Sequence, residues 1–176
     1  QCMLRSAAVT LQQNSTLVVV SATSGTTNKL IELGQLARSS QLEKAEKLFL
    51  EITDKHRQIG KELGLDINRS EQLQSLLDEL SSIQKGIYFL KDNSFRALDA
   101  LVSMGERMSS VLFSQALQNV IEKEKSKSKV MWYDVRSVMK TDDQFGKARP
   151  LSDEINHLGK KVFSEILSTD AIGVTQ

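Results

Sequence analysis

The chain has a single cysteine, Cys2, which excludes a disulfide framework and a thiolate metal cluster and suits a reducing cytoplasm. Charge of one sign is missing too. Lysine and arginine total 23 against 22 acidic residues, and a net charge of +1 is no electrostatic footprint for nucleic acid. No apolar run approaches the roughly 18 residues that a membrane span needs. No charged-then-apolar signal region follows Gln1, and a chain that opens without methionine reads as an excerpt of something longer. The two histidines, His56 and His157, lie far apart on what read as helical surfaces, with no ligand-pair spacing. What is present is one domain's worth of chain, 176 residues, 40% hydrophobic and 26% charged. A chain of that length buries roughly 70% of its extended surface.

Leu17–Asn28, LVVVSATSGTTN, is the stretch that invites function. Four apolar residues without alternation, three of them β-branched, are written as a strand covered on both faces. Ser21 to Thr27 follow with five hydroxyls and one glycine, and a helical pattern resumes at Asn28–Leu36. A turn between a parallel strand and a helix N-terminus offers backbone N–H groups and hydroxyls to an anionic ligand. An ordinary strand-to-helix connection with capping hydroxyls explains it equally, since neither Walker nor Rossmann glycine spacing is matched.

The rest alternates helices with short strands. Cys2–Gln12 has helical apolar spacing, with Asn14 and Ser15 breaking it before the strand. Leu42 to Leu63 step by threes and fours into an amphipathic helix ending at Gly64, and a second begins near Ser70 and carries Leu73 to Leu90 on one face. Together they read as a helical hairpin, residues 41–91, that covers core. Ser94 caps a third long helix, Phe95 to about Ile121, containing VSMGERMSS. Gly105 inside its apolar face costs about 1 kcal/mol against alanine and implies a packing or access reason. Glu106 beside it must be paired or reach a ligand. Arg107 or a neighbouring lysine would serve as that pair. Glu122–Lys129, with four lysines and two glutamates, reads as a solvated helix end and loop. Val130–Val135 reads as a second buried strand whose one charge, Asp134, aligns Arg136 or a lysine or faces a site. Asp134, Asp142 and Asp143 are close in sequence, but no pattern places them on one face and no metal site is assigned. Pro150 and Ser152 precede a last helix, with Ile155, Leu158, Val162, Phe163, Ile166 and Leu167, before the short strand Ala171–Gln176. Strands separated by helices predict an α/β fold with a mostly parallel sheet.

Three motifs in order, VVVSATSGTTNKL, VSMGERMSSVLF and WYDVRSVMKTDDQFGKARP, resemble the aspartate kinases, most of all their single-function, lysine-sensitive type. The resemblance covers essentially the whole chain. It implies the three-layer α/β/α amino-acid kinase fold, with residues 1–176 forming part of one such domain. The implied reaction is transfer of the γ-phosphoryl of ATP, with Mg2+, to the β-carboxylate of L-aspartate, feeding lysine, methionine and threonine synthesis. Thr27 matches the family threonine that contacts aspartate, Glu106 matches the glutamate that binds its ammonium group, and Ser21 opens the same turn. Hydroxyls and backbone donors suit a carboxylate, and a dry carboxylate suits an ammonium. No catalytic, nucleotide-binding or metal residue is assigned within the chain.

The resemblance also implies that the KFGGTS strand, the nucleotide-binding half and the regulatory ACT domains lie outside this stretch, so the chain alone is expected to be inactive. It further implies a cytoplasmic, allosteric enzyme that dimerises through those regulatory domains and binds neither nucleic acid nor membrane. A sister amino-acid kinase or a bifunctional aspartate kinase–homoserine dehydrogenase is the alternative reading within the same class. A non-catalytic helical module is the reading of another class, and it predicts an exposed apolar stripe over Leu42–Leu90.

Overall fold

The computed structural model describes residues 2–10, 16–92, 94–169 and 171–176. The expected helix end at Leu11 and Gln12 and the break at Asn14 and Ser15 lie outside them, as do the side chains of Ala8 and Leu167. The elements run α1 (Cys2–Thr10), β1 (Leu17–Val19), α2 (Thr26–Arg38), α3 (Leu42–Glu62), α4 (Glu71–Leu90), α5 (Phe95–Lys123), β2 (Lys129–Trp132), α6 (Ser152–Ser168) and β3 (Ala171–Thr175). They fall into two compact units: Gln1–Val20 with Ser110–Gln176, and Ser21–Ser109.

The first unit is built on a three-stranded sheet of order β1-β3-β2, parallel throughout as the alternation of elements predicts. β3 is the central strand and all five of its residues are buried. Ile172 and Val174 face a core made with Ala7 of α1 and Phe113, Leu117 and Ile121 of α5. On the opposite face Gly173 lies under α6. A Cβ there would come within 2.7 Å of Ile166 Cδ1 and 2.9 Å of Leu17 Cδ1, so any larger residue would have to push those side-chain ends aside. Helices therefore cover both faces of the central strand.

Two strand expectations are corrected. β1 is an edge strand, and only Val18 packs toward the core, while Leu17 and Val19 remain 40% and 69% exposed. The run written for burial on both faces is thus covered on one, because the covering helix α6 packs on the central strand. β2 is shorter than Val130–Val135 and half-buried. Tyr133 N still donates to the Val174 carbonyl at 2.9 Å, after which the chain leaves the ladder, and Val135–Ser137 form a 3-10 turn capped by Asp134, which accepts from Arg136 N. The Trp132 indole donates to Ser110 Oγ at 2.9 Å.

In the second unit α2 packs against both α3 and α4, which meet chiefly around the 3-10 turn Ile67–Arg69. α3 ends where Gly64 takes a φ of +75°, and Ser70 caps α4 by accepting from Leu73 N. Ser94 caps α5 in the same way, accepting from Ala97 N at 3.4 Å. Of the stripe expected to be exposed in an interaction module, Leu48, Ile52, Leu73, Leu76, Leu77, Leu80 and Ile87 are buried, while its two ends, Leu42 and Leu90, are exposed. It packs against a helix, α2.

His56 is corrected as well. It is no surface residue but fully buried on the inner face of α3, four residues after Ile52 and eight after Leu48. His157 is exposed.

Candidate substrate site

The turn Ser21–Thr27 passes from β1 into α2. Gly25, at a φ of +76°, is the residue before the helix, and no side chain caps it. The hydroxyls in this turn therefore do not serve as the helix cap that a plain connection would use. The turn closes instead through Thr26 N donating to the Thr23 carbonyl at 3.0 Å and through the Thr23 and Thr26 hydroxyls, 2.7 Å apart.

α5 approaches this turn at Gly105. A Cβ on Gly105 would stand 3.1 Å from Ala22 Cβ and 3.3 Å from both Thr26 Cγ2 and Leu30 Cδ1. Glycine is there for close approach, which is the packing reason its position inside a helix implied. One turn further on, the single hydroxyl proton of buried Ser109 is shared between the Ser21 carbonyl at 2.7 Å and the Glu106 carbonyl at 3.0 Å. The start of the turn is thereby fastened to α5.

These contacts bring the three expected site residues into one neighbourhood of the second unit. Ser21 is exposed where the strand ends, Thr27 is half-buried in the first turn of α2, and Glu106 is half-buried next to Gly105. Among the described residues, none of the three side chains has a hydrogen-bond or ion-pair partner within the protein. The pairing of Glu106 with Arg107 does not occur. Arg107 is buried and turned to Glu79, which it holds through two bonds of 2.6 Å. A half-buried carboxylate with no partner, beside unused hydroxyls and a helix N-terminus, can receive a small ligand carrying both an ammonium and a carboxylate.

The cationic rim belongs to the same unit. Lys55 Nζ donates to the Ser24 carbonyl at 2.5 Å and to Thr26 Oγ1 at 3.3 Å, and burial with the nearby Lys29 charge lowers its pKa. Lys29 pairs with Glu51, whose pKa the bond and charge of Lys29 lower.

Lys55, Ser109, Thr23 and His56 were not singled out from sequence. The signal for Ser109 was present in its spacing of four from Gly105, which places it on the same helix face. That for His56 was its place on the Leu48–Ile52 face. At the end of β2, Asp134 does align Arg136, accepting from its Nε at 2.9 and 3.0 Å and its Nη2 at 2.6 Å. Among the described residues no three His, Cys, Asp or Glu side chains are grouped to hold a metal ion, and no helix is long and apolar enough to cross a membrane.

No protein-family model matches the chain. Over 149 residues, 84% of its length, the chain is 33% identical to lysine-sensitive aspartokinase 3 of Escherichia coli (strain K12), of which it spans 31%. Over 107 residues, 59% of its length, it is 35% identical to chloroplastic aspartokinase 2 of Arabidopsis thaliana, of which it spans 19%. Its structure is similar to that of E. coli aspartokinase III in complex with aspartate and ADP (R-state), with a TM-score of 0.67 and 28% identity over 97% of this chain and 36% of that one. Sequence and structure agree that the chain belongs to the aspartokinase family.

Proposed function

We propose that the protein carrying this chain is an aspartate kinase, and that this chain supplies the pocket for the amino-acid substrate within an amino-acid kinase domain of which residues 1–176 form part. The observation that carries the reading is the approach of α5 at Gly105, which sets the unpaired Glu106 beside the Ser21–Thr27 turn. In this reading Glu106 receives the ammonium group of L-aspartate. Thr27, with the α2 N-terminus, receives a carboxylate, and Ser21 assists from the other end of the turn. Recognising each charged end with a dedicated group rejects analogues lacking it, because the buried partner is left unpaired. The complex of the E. coli relative with aspartate and ADP supports both the substrate and the nucleotide.

ATP is proposed as the phosphoryl donor and Mg2+ as its companion ion. Among the described residues no three acidic, His or Cys side chains are grouped to hold an ion, and no ligand for Mg2+ is assigned in this chain. A role in lysine biosynthesis, allosteric control by an end product, homodimerisation and a cytoplasmic location are proposed by analogy with the lysine-sensitive relative. The test is coupled detection of ADP release by the full-length protein with MgATP and L-aspartate. Release that does not depend on aspartate would overturn the proposal.

A further inference from the structure

Beneath the Ser21–Thr27 turn runs a chain of polar contacts whose direction follows from chemistry alone. The Lys55 ammonium can only donate, and it stands 3.3 Å from Thr26 Oγ1. Thr26 Oγ1 lies 2.7 Å from Thr23 Oγ1, which in turn lies 3.5 Å from His56 Nε2. At the far end His56 Nδ1 is 2.8 Å from the Ile52 carbonyl. A carbonyl only accepts, so Nδ1 carries the proton, and in the neutral ring Nε2 is then an acceptor. Burial favours that neutral ring, lowering the His56 pKa, and the Lys55 charge adds to the effect. Each hydroxyl can therefore accept from one neighbour and donate to the next, from Lys55 through Thr26 and Thr23 to His56.

The relay holds the inner side of a turn whose helix end has no side-chain cap. The residue before α2 is a left-handed glycine, and no side chain caps the helix. Thr26 is 1% exposed, and its methyl group lies where a Cβ on Gly105 would be crowded, so its hydroxyl cannot turn outward without unpacking that contact. The Lys55 bond to the Ser24 carbonyl pins the outer side of the turn, and the relay pins the inner side.

We infer that His56 is a positioning residue for the amino-acid pocket, fixing through Thr23 and Thr26 the turn that presents Ser21 and Thr27. It touches no substrate. This role rests on the reading of that turn as the aspartate site.

Two measurements on the full-length protein decide it. Long-range 1H–15N correlation of His56 near neutral pH is expected to show the Nδ1–H tautomer, and an Nε2–H or doubly protonated ring overturns the relay whatever the substrate. In steady-state kinetics Thr23→Val and His56→Phe should each raise the aspartate KM about threefold to tenfold, the loss of one neutral hydrogen bond, with the KM for ATP unchanged. The double variant should be no worse than the more affected single one, since both cut the same relay. His56→Gln, which keeps an acceptor, should recover most of the loss. An unchanged aspartate KM in Thr23→Val overturns the positioning role even where His56→Phe does not fold. A wild-type protein with the Nδ1–H tautomer that neither binds nor phosphorylates aspartate overturns the substrate reading, and the positioning role with it, while the relay stands as a structural feature.

Discussion

The carboxyl ends of β1 and β2 both lead into polar segments, and the two segments use their polar groups in opposite ways. After β2, Asp134 takes three bonds from the Arg136 side chain, one from Arg136 N and one from Gln176 Nε2 at 2.9 Å. Its charge is consumed within the chain. After β1, the hydroxyls of Ser21 and Thr27 have no protein partner among the described residues, and neither has the carboxylate of Glu106 on α5. The contrast extends along α5 itself. Arg107 is tied to Glu79 by two bonds, while Glu106, one residue earlier, is left open. A polar group paired inside the chain accounts for its own presence. An unpaired one beside a close helix–turn contact is available for a ligand.

The sharpest way to break this comparison is Glu106→Ala. It should lower kcat/KM for aspartate by the equivalent of about 2–5 kcal/mol, as loss of one partner of a desolvated charge pair, with little change in the KM for ATP. An unchanged specificity constant would remove Glu106 from the pocket. Glu79→Ala tests the paired member. Stranding the buried Arg107 should lower stability by about 1–3 kcal/mol in urea denaturation, below the fully buried case because Glu79 is partly exposed. Aspartate and ATP KM should move little in this variant, and a selective rise for aspartate would erase the distinction. Thr27→Val keeps the shape and deletes a hydroxyl, so kcat/KM for aspartate should fall by about 1–2 kcal/mol without loss of stability. Asp134→Asn, at the self-satisfied strand end, should change stability by no more than about 1 kcal/mol and leave aspartate kinetics alone.

The smallest effect is a pH dependence. His56 has its folded pKa lowered from 6.5, so the unfolded chain binds the proton more readily than the folded one. Its contribution to stability is fully present above the unfolded value and declines as pH falls below 6.5 toward the folded pKa. Urea midpoints followed from about pH 7.5 to 5.5 should fall less steeply for His56→Gln than for wild type. Parallel slopes would mean that His56 does not supply the difference.

Much of the fold was legible because helix signals are local. The caps at Ser70 and Ser94, the stop at Gly64 and the three-and-four stepping of Leu73, Leu76, Leu77 and Leu80 all correspond to features of the structure. Burial of strands was less legible. LVVV and VMWYDV carry the composition of a buried strand, yet the fully buried one is Ala171–Thr175, because central position in the sheet is decided by which strands pair. His56 was missed because a polar residue on a helix reads as surface until its partners are known. The residues singled out in the turn and at Glu106 came from a resemblance of motifs. Composition and spacing alone left an ordinary connection equally open and favoured pairing of Glu106 with Arg107 or a lysine.

By itself the amino-acid sequence determined the alternation of helices and strands, hence a parallel sheet, and marked Gly105 as a place where something must come close. Only the tertiary structure decided what comes close there, which is Ala22 and Thr26 of the turn. It also decided that Arg107 belongs to Glu79 and that Glu106, next to Gly105, has no partner among the described residues. The reason is physical. Periodicity and capping act over a few residues and are written locally, whereas the partner of a buried charge is whichever distant group packing brings within hydrogen-bond reach.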